Sequence, residues 1–358
     1  MGIEFHKLRV AEVKRETPDA VSVRLELPPE LRETFQFRAG QHLTFRHTIG
    51  GEELRRNYSL CVSPDEGLLK IGVKQIAGGA FSGWVNAELK AGDELDVMAP
   101  HGSFCWTFDA AARNEYVAFA GGSGITPILS LMKTALSLEP HSRFTLFYGN
   151  RTSIGIMFLE EIAALKDRYL DRLRVFHFLE DEEEEIELFN GRLDRAKTDE
   201  ILTMLVDAKS ADAFFICGPG PMMDAIEEAL VARGVDKPRI LIERFTTGPL
   251  SAAQAAAARA LEEKAAGLQM SVTLNGRRMK VTFDPAQHSI LDNVRAAGLP
   301  APFACKGGVC ATCRAKVTAG EVQMKVNYGL SDEELAEGYV LTCQATPVSE
   351  DVALTYDV

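Results

Sequence analysis

Four of the seven cysteines fall in a pattern that can do chemistry. Cys305, Cys310 and Cys313 stand as C-x4-C-x2-C in the stretch Ala304-Cys305-Lys306-Gly307-Gly308-Val309-Cys310-Ala311-Thr312-Cys313, and Cys343 follows after 29 further residues. That spacing is the plant-type ligand pattern for a [2Fe–2S] cluster, in which each iron takes two thiolates. Three sulfurs come from one tight loop and the fourth from the returning chain. Gly307 and Gly308 lack a Cβ, so the loop can wrap a cluster and turn its N–H groups toward the sulfurs. A structural zinc site is the lesser reading, because such sites ordinarily show two short C-x2-4-C pairs. Cys61, Cys105 and Cys217 are scattered and form no disulfide framework.

Two further groups of residues suit organic cofactors. In Arg56-Asn57-Tyr58-Ser59 a strand sets Arg56 and Tyr58 on one face and Asn57 and Ser59 on the other. A guanidinium fits a pyrophosphate, a phenol ring stacks on an isoalloxazine, and a hydroxyl is a partner for flavin N5. Downstream, Gly78-Gly79-Ala80-Phe81-Ser82-Gly83-Trp84 reads as a helix start whose free N–H groups hold phosphate. The second group is a pair of glycine-rich turns. Gly121-Gly122-Ser123-Gly124-Ile125-Thr126-Pro127 lies between an apolar run at 116–120 and a helical period at 128–136. Gly218-Pro219-Gly220-Pro221-Met222-Met223 follows an apolar run that ends in Cys217. Strand, glycine-rich turn and helix make the phosphate-binding unit of a doubly wound sheet, and Pro127 fits early in a helix.

Different scaffolds must position these groups. Residues 1–107 read as short strands at 21–27, 41–46, 68–74 and 94–98, each bounded by turn residues, which predicts a closed antiparallel β-barrel. Over 108–247, strands at 116–120, 144–148, 173–178 and 213–217 alternate with helical stretches, which predicts a parallel α/β sheet with ligands at the strands' carboxyl ends. Residues 248–268 are alanine-rich and nearly free of large apolar side chains, which predicts a semi-rigid, partly helical tether that buries little. Over 269–358 a hairpin with an Asn275-Gly276 turn and a short helix closed by Gly298 precede the cysteine loop, which predicts an α+β domain.

The net charge of −12 argues against a nucleic-acid partner. From residue 269 onward there are 8 basic and 10 acidic residues, a net of −2, so −10 lies upstream. Part of it is the run 180–187, read as a solvated loop. Near the cysteines the sign is locally positive, with Lys306, Arg314, Lys316 and Lys325. Such a rim steers an acidic partner, or is ordinary surface. No apolar run reaches 18 residues, which predicts no membrane span. The first residues show no apolar signal core, which predicts a cytoplasmic location.

Arg56-Asn57-Tyr58-Ser59, then Val73-Lys74 followed by Gly78-Gly79-Ala80-Phe81-Ser82, resemble the ferredoxin–NADP reductase superfamily in its branch of oxygenase reductases. Cys305 to Cys313 with Cys343 resemble a plant-type ferredoxin domain of the β-grasp kind. The resemblance spans essentially the whole chain. It implies FAD rather than FMN, with Arg56 on the pyrophosphate, Tyr58 on the ring face and Ser59 at N5. Lys74, Gly79, Ala80, Phe81 and Ser82 complete the flavin site. It implies that Gly122, Thr126, Pro127 and Gly218 line the nucleotide loops, and that Cys217 positions the nicotinamide rather than acting as a nucleophile. Arg151 is implied to meet the 2′-phosphate of NADPH. Relatives often carry a further arginine after the next strand, where this chain has Phe178-Leu179-Glu180, and Arg192 is the candidate to replace it. Phe245 is implied to cover the flavin, so Ser59, Cys217 and Phe245 form the expected catalytic group. The implied activity passes electrons from NADPH through FAD and the [2Fe–2S] cluster to a di-iron oxygenase partner. A Rieske-type ring or steroid hydroxylase is the alternative.

Overall fold

The computed structural model describes residues 4–245 and 252–357. The expected domain boundary at 247 and the first tether residues, 248–251, lie outside the described residues. The chain divides into two units, Phe5–Glu243 and Arg244–Val358.

The first unit opens with β1 (Phe5–Thr17), β2 (Ala20–Leu25), β3 (His42–Ile49), β4 (Glu52–Ser59), β5 (Leu69–Lys74), α1 (Ala80–Ala87) and β6 (Glu94–Met98). The six strands form one antiparallel sheet in the order β4-β3-β6-β1-β2-β5. A bridge between Leu60 and Ile71 ties the end of β4 to β5, so the curled sheet closes on itself. The period-two pattern drives this closure: Val21, Val23, Leu43, Phe45, Ile71 and Val73 are buried inside. Charged residues along β1 hide its inward side chains Leu8 and Val10 from a pattern search.

The same unit continues with β7 (Glu115–Gly121), α2 (Ile125–Leu138), β8 (Arg143–Asn150), α3 (Leu159–Arg168), β9 (Leu173–Leu179), α4 (Arg195–Met204), β10 (Ala213–Cys217), α5 (Gly220–Ala232) and β11 (Ile240–Glu243). Its five strands are parallel, in the order β11-β10-β7-β8-β9. The chain runs outward from β7 to β9 and then returns to β10 on the other side. The strand order therefore reverses between β7 and β10, and both glycine-rich turns follow those two strands. That crevice is where open α/β sheets bind ligands. Barrel and sheet share a core, since Ala20, Cys61 and Phe104 join the cluster around α2. Lys133 reinforces the seam by pairing with Glu161 and with Glu66 at 3.1 Å, while Lys70 bonds Glu161 at 2.8 Å.

The second unit carries α6 (Ala252–Lys264), β12 (Gln269–Leu274), β13 (Arg277–Thr282), α7 (Ile290–Ala296), β14 (Arg314–Ala319), β15 (Val322–Met324), α8 (Asp332–Ala336), β16 (Tyr339–Leu341), β17 (Ala345–Pro347) and β18 (Val352–Thr355). Five strands make a mixed sheet in the order β13-β12-β18-β14-β16, and β15 pairs with β17. Asn275 and Gly276 both take positive φ, 52° and 71°, as a two-residue hairpin turn with the strands' twist requires. The α7 helix starts at Ser289, whose hydroxyl accepts from the Asp292 N–H at 3.1 Å, and buries Ile290, Leu291 and Val294. The alanine-rich stretch is a full helix, α6, exposed along most of its length. Its last turn buries Glu262 and, just beyond the helix, Ala265.

Candidate functional site

The loop between α7 and β14 carries Cys305, Cys310 and Cys313, and Cys343 lies just past β16. Cys310, Cys313 and Cys343 are buried and Cys305 half-buried. The thiols stand as two facing pairs, Cys305 with Cys310 and Cys313 with Cys343. N–H groups converge on the sulfurs: Gly307 donates to Cys305 at 3.3 Å, Thr312 to Cys310, and Gly308 to Cys343. The hydrogen bond from Cys305, with those from Thr312, holds the Cys310 thiol below its usual range against the effect of burial. Cys313 does the same for Cys343. The backbone turns to deliver these donors, with positive φ at Lys306, Gly308 and Ala311. At Gly308 a Cβ would also come 2.9 Å from Gln344. The returning strand is pinned where it must be, because the Thr342 hydroxyl donates to the Cys313 carbonyl at 2.8 Å and accepts from Tyr356 at 2.9 Å.

Among the described residues no three His, Cys, Asp or Glu side chains gather about a single point. A tetrahedral zinc ion needs four donors around one centre. Two facing thiol pairs ringed by N–H donors are the set that a binuclear iron–sulfur cluster needs, so the residues fit that group.

On the flavin side, register places Phe45 opposite Arg56 and Leu43 opposite Tyr58, so the four share one face of the β3–β4 hairpin. Tyr58 meets Phe45 edge-on at 5.9 Å and Phe81 at 5.8 Å. Burial pushes its phenol upward, with Arg56 opposing, so it remains a neutral ring. Arg56 is exposed and extends along the strand to the Arg55 carbonyl. Lys74 ends β5 and faces Asp19 at 3.5 Å. Gly79 caps α1, whose first turn holds Ala80, Phe81 and Ser82. The Ser82 hydroxyl is engaged inside that turn, accepting from the Ile76 N–H at 3.1 Å and donating to the Gly79 carbonyl at 3.3 Å. Its side chain thus shapes the turn, and the N–H groups of the helix end remain the phosphate donors. Ser59 is buried at the end of β4. An exposed cradle of this kind, with a guanidinium, an aromatic wall and a helix N-terminus, fits a flavin dinucleotide.

The two glycine-rich turns are built against each other. A Cβ on Gly124 would lie 2.0 Å from the Cys217 carbonyl oxygen, and one on Gly218 would lie 3.0 Å from the Gly121 nitrogen. Only glycine permits this closeness. Gly122 takes a positive φ of 53° at the turn. Thr126 and Pro127 start α2 fully buried, with the Thr126 hydroxyl on the Ser123 carbonyl at 3.0 Å. Cys217 is buried, and burial, followed by the charge of Glu243, pushes its thiol well above the usual value. It is a neutral packing group, not a nucleophile. Arg151 and Arg192 come to one rim past β8 and β9. Arg151 pairs with Asp181 at 2.9 Å and Arg192 pairs with Glu180. Phe245 lies in the second unit and is 39% exposed.

The structure adds residues that sequence reasoning missed. His47 and Trp84 stack at 4.0 Å on the Arg56 face of the hairpin. His42, Thr44, Asn57, His101 and Glu243 form a polar cluster beside Ser59 and Cys217. Asn57 and Trp84 lie within stretches already singled out, but no motif announces His42, Thr44, His47, His101 or Glu243, because strand pairing brings them together from distant positions.

Three family models match successive stretches of the chain. Residues 7–106 match the model of the oxidoreductase FAD-binding domain. Residues 119–228 match the oxidoreductase NAD-binding domain, and residues 272–348 the 2Fe-2S iron-sulfur cluster binding domain. One component protein of 1,2-phenylacetyl-CoA epoxidase from Escherichia coli K12 is 42% identical over 353 residues, 99% of this chain and 98% of that one. The ferredoxin reductase component of 3-ketosteroid-9-alpha-monooxygenase from Rhodococcus rhodochrous is 32% identical over 98% of this chain and 96% of that one. Phthalate dioxygenase reductase superposes over 98% of each chain with a TM-score of 0.59 at 22% identity, a likeness of fold.

Proposed function

This chain belongs to the ferredoxin–NADP reductase superfamily, as an oxygenase reductase with FAD-, NAD- and [2Fe–2S]-binding domains, and from that premise we propose a specific task. It is the NADPH-dependent reductase component of a di-iron monooxygenase, phenylacetyl-CoA epoxidase, in phenylacetate degradation. The observation that carries this reading is the 42% identity with a component of that enzyme over nearly the full length of both chains. The domains are 1–107 for FAD, 108–247 for NADPH, 248–268 as tether and 269–358 for the cluster, in a cytoplasmic protein. Among the described residues no helix is long and apolar enough to cross a membrane.

When bound, NADPH supplies two electrons as a hydride, FAD takes both and releases them singly, and the cluster carries single electrons onward. The chain's own residues bind and orient. Arg56 and the first turn of α1, from Gly79 through Ser82, hold the two phosphates, with Lys74 at the end of the neighbouring strand. Tyr58 walls one face of the ring, its angle set by Phe45 and Phe81. The Ser59 hydroxyl, buried at the end of β4, would be the partner for N5. Gly122, Thr126, Pro127 and Gly218 shape the slot for the nucleotide, and the buried, neutral Cys217 thiol would pack beside the nicotinamide. Arg151 exchanges its surface pair with Asp181, worth about 0–1 kcal/mol, for charge-assisted bonds of roughly 1.5–3 kcal/mol to a 2′-phosphate, which favours NADPH over NADH. Arg192 does the same at the other side of the rim. Cys305, Cys310, Cys313 and Cys343 would hold the two irons; of the basic residues near them, Lys306, Arg314 and Lys325 are already paired with Asp292, Glu334 and Glu262.

Supplying electrons to a Rieske-type steroid hydroxylase is the second reading, favoured by the 32% identity with the ketosteroid monooxygenase reductase. Reconstitution decides between them. The purified protein, loaded with FAD, iron and sulfide, is added with NADPH to either set of oxygenase components. We expect product formation from phenylacetyl-CoA and none from the ketosteroid. The reverse result assigns the alternative.

A further inference from the structure

His42 opens β3 and is buried, with 4% of its surface exposed. Register sets it opposite Ser59, and Thr44 opposite Asn57, so all four side chains share the face of the hairpin opposite to Phe45 and Tyr58. The Thr44 hydroxyl donates to Asn57 Oδ1 at 2.8 Å, which fixes the amide. Asn57 Nδ2 then donates to His42 Nε2 at 3.3 Å. A neutral His42 accordingly carries its proton on Nδ1, which lies 3.8 Å from Glu243 Oε1. The His101 ring sits 4.2 Å from that of His42. Its Nδ1 donates to the Ala99 carbonyl at 3.2 Å, and its Nε2 lies 3.3 Å from Thr44 Oγ1. Since the Thr44 proton is committed to Asn57, that oxygen accepts, and His101 Nε2 carries a proton as well. Both His101 nitrogens are then donors, which is the imidazolium form.

In this arrangement the pair holds one extra proton. A second would set two cations about 4 Å apart, a strong repulsion away from water. Turning the Asn57 amide end over reverses the chain. His42 Nε2 then donates to Asn57 Oδ1, Asn57 to Thr44, and the Thr44 hydroxyl to His101 Nε2. In that arrangement His101 is neutral, and His42 carries the charge with Nδ1–H toward Glu243. Half-buried His101 is the solvent side, and buried His42 is the side of Ser59 and Cys217. Glu243 from β11 and His101 are the charged groups on His42. Cys217 on β10, Cys105 and Arg38 stand behind Glu243, both thiols held neutral by burial.

We propose that His42 and His101 are a charge-compensating pair for the flavin: their shared proton rests on His101 while the ring is oxidised and moves to His42 when hydride arrives. This rests on the flavin reading given above. Hydride transfer breaks one C–H bond of the dihydronicotinamide and adds a hydrogen nucleus with two electrons to the site, leaving one more negative charge there. The proton shift brings a positive charge next to it without changing the total. When the two electrons leave to iron and the hydrogen nucleus leaves as a proton, the shared proton returns to His101. Burial, and after it His101, holds the His42 imidazole well below its usual value, which keeps it neutral until that negative charge forms.

Spectroelectrochemistry of the FAD- and cluster-loaded protein across pH 5.5–8.5 tests the pair with His42→Gln, His101→Gln and the double variant. With FAD bound one per chain, His42→Gln is expected to shift the hydride equilibrium with NADPH on the order of tenfold toward oxidised flavin. It should leave the slope of the flavin potential against pH unchanged, because the pair takes up no net proton, and the double variant should add little further. Potentials equal to the parent's at every pH overturn the proposal. If a variant loses FAD, 15N-histidine NMR of the unaltered protein decides: His42 should gain a second N–H on reduction, and an unchanged spectrum overturns the pair. A parent protein that binds no FAD contradicts the functional reading itself, which is a separate result.

Discussion

The Arg151 guanidinium, 79% exposed and paired with Asp181 across the rim, is poised to change partner at little cost. Arg151→Ala should raise KM for NADPH about 10–100-fold, from the loss of roughly 1.5–3 kcal/mol, while KM for NADH changes little. Steady-state kinetics with the two nucleotides checks this, and equal losses would remove Arg151 from the 2′-phosphate site. Gly124 has the opposite character, since nothing there can move. Gly124→Ala puts a methyl group 2.0 Å from the Cys217 carbonyl oxygen and must part the two glycine-rich turns. We expect kcat/KM for NADPH to fall at least about fivefold, from strain of about 1–3 kcal/mol, with the FAD and cluster spectra intact. At this scale the legible residues are those whose chemistry demands a type at a fixed spacing. The four cysteines and the Arg56-to-Ser59 run are of this kind. His42, His101 and Glu243 are not legible, because their meeting depends on β3, the loop after β6 and β11 coming together.

Among the elements, α6 separates pattern from packing. Its alanine-rich face lacks an apolar stripe, so the sequence predicts a tether that buries little. The helix docks instead through one carboxylate. Glu262 accepts from Lys325 at 2.5 Å and from His288 at 2.9 Å, within the second unit. Burial raises the Glu262 carboxyl, but the bonds from Lys325 and His288 outweigh it and hold it below the usual value. A carboxyl lowered in the folded state contributes stability above its unfolded value and loses it as pH falls through the folded one. The α6 anchor should therefore be complete above about pH 5 and weaken below that. Glu262→Gln should cost about 1–3 kcal/mol at neutral pH and remove the acid-sensitive part. Protease cleavage within α6, followed from pH 7 to pH 4, measures both effects. Cleavage that ignores pH in the parent protein would refute the anchor. The β7–α2 turn, by contrast, is legible because strand, glycine-rich turn and helix are contiguous in sequence. β1 is missed because its charged outer face hides the alternation.

At the scale of the whole chain, the order of barrel, parallel sheet and cysteine domain is legible, since each has its own period and its own ligand set. The topological switch between β7 and β10 is not, because strand order is set by packing rather than by local pattern. The architecture implies a division of labour that can be cut at one atom. The FAD and NADPH sites lie in Phe5–Glu243, where barrel and sheet share a core, and the four thiols lie in Arg244–Val358 with a core of their own. Cys343→Ser replaces one thiolate by a hydroxyl that does not ligate iron comparably. The variant should lose the cluster's visible absorption and its delivery of electrons to the oxygenase. Its NADPH-dependent reduction of a dye that takes electrons from flavin should stay within about twofold of the parent, because residues in separate cores with no shared partners affect each other little. Iron content, the visible spectrum and the two activities are read on one preparation. If dye reduction falls together with oxygenase turnover while FAD stays bound, the hydride-accepting half does not work independently of the cluster, and the serial order of the relay fails with it.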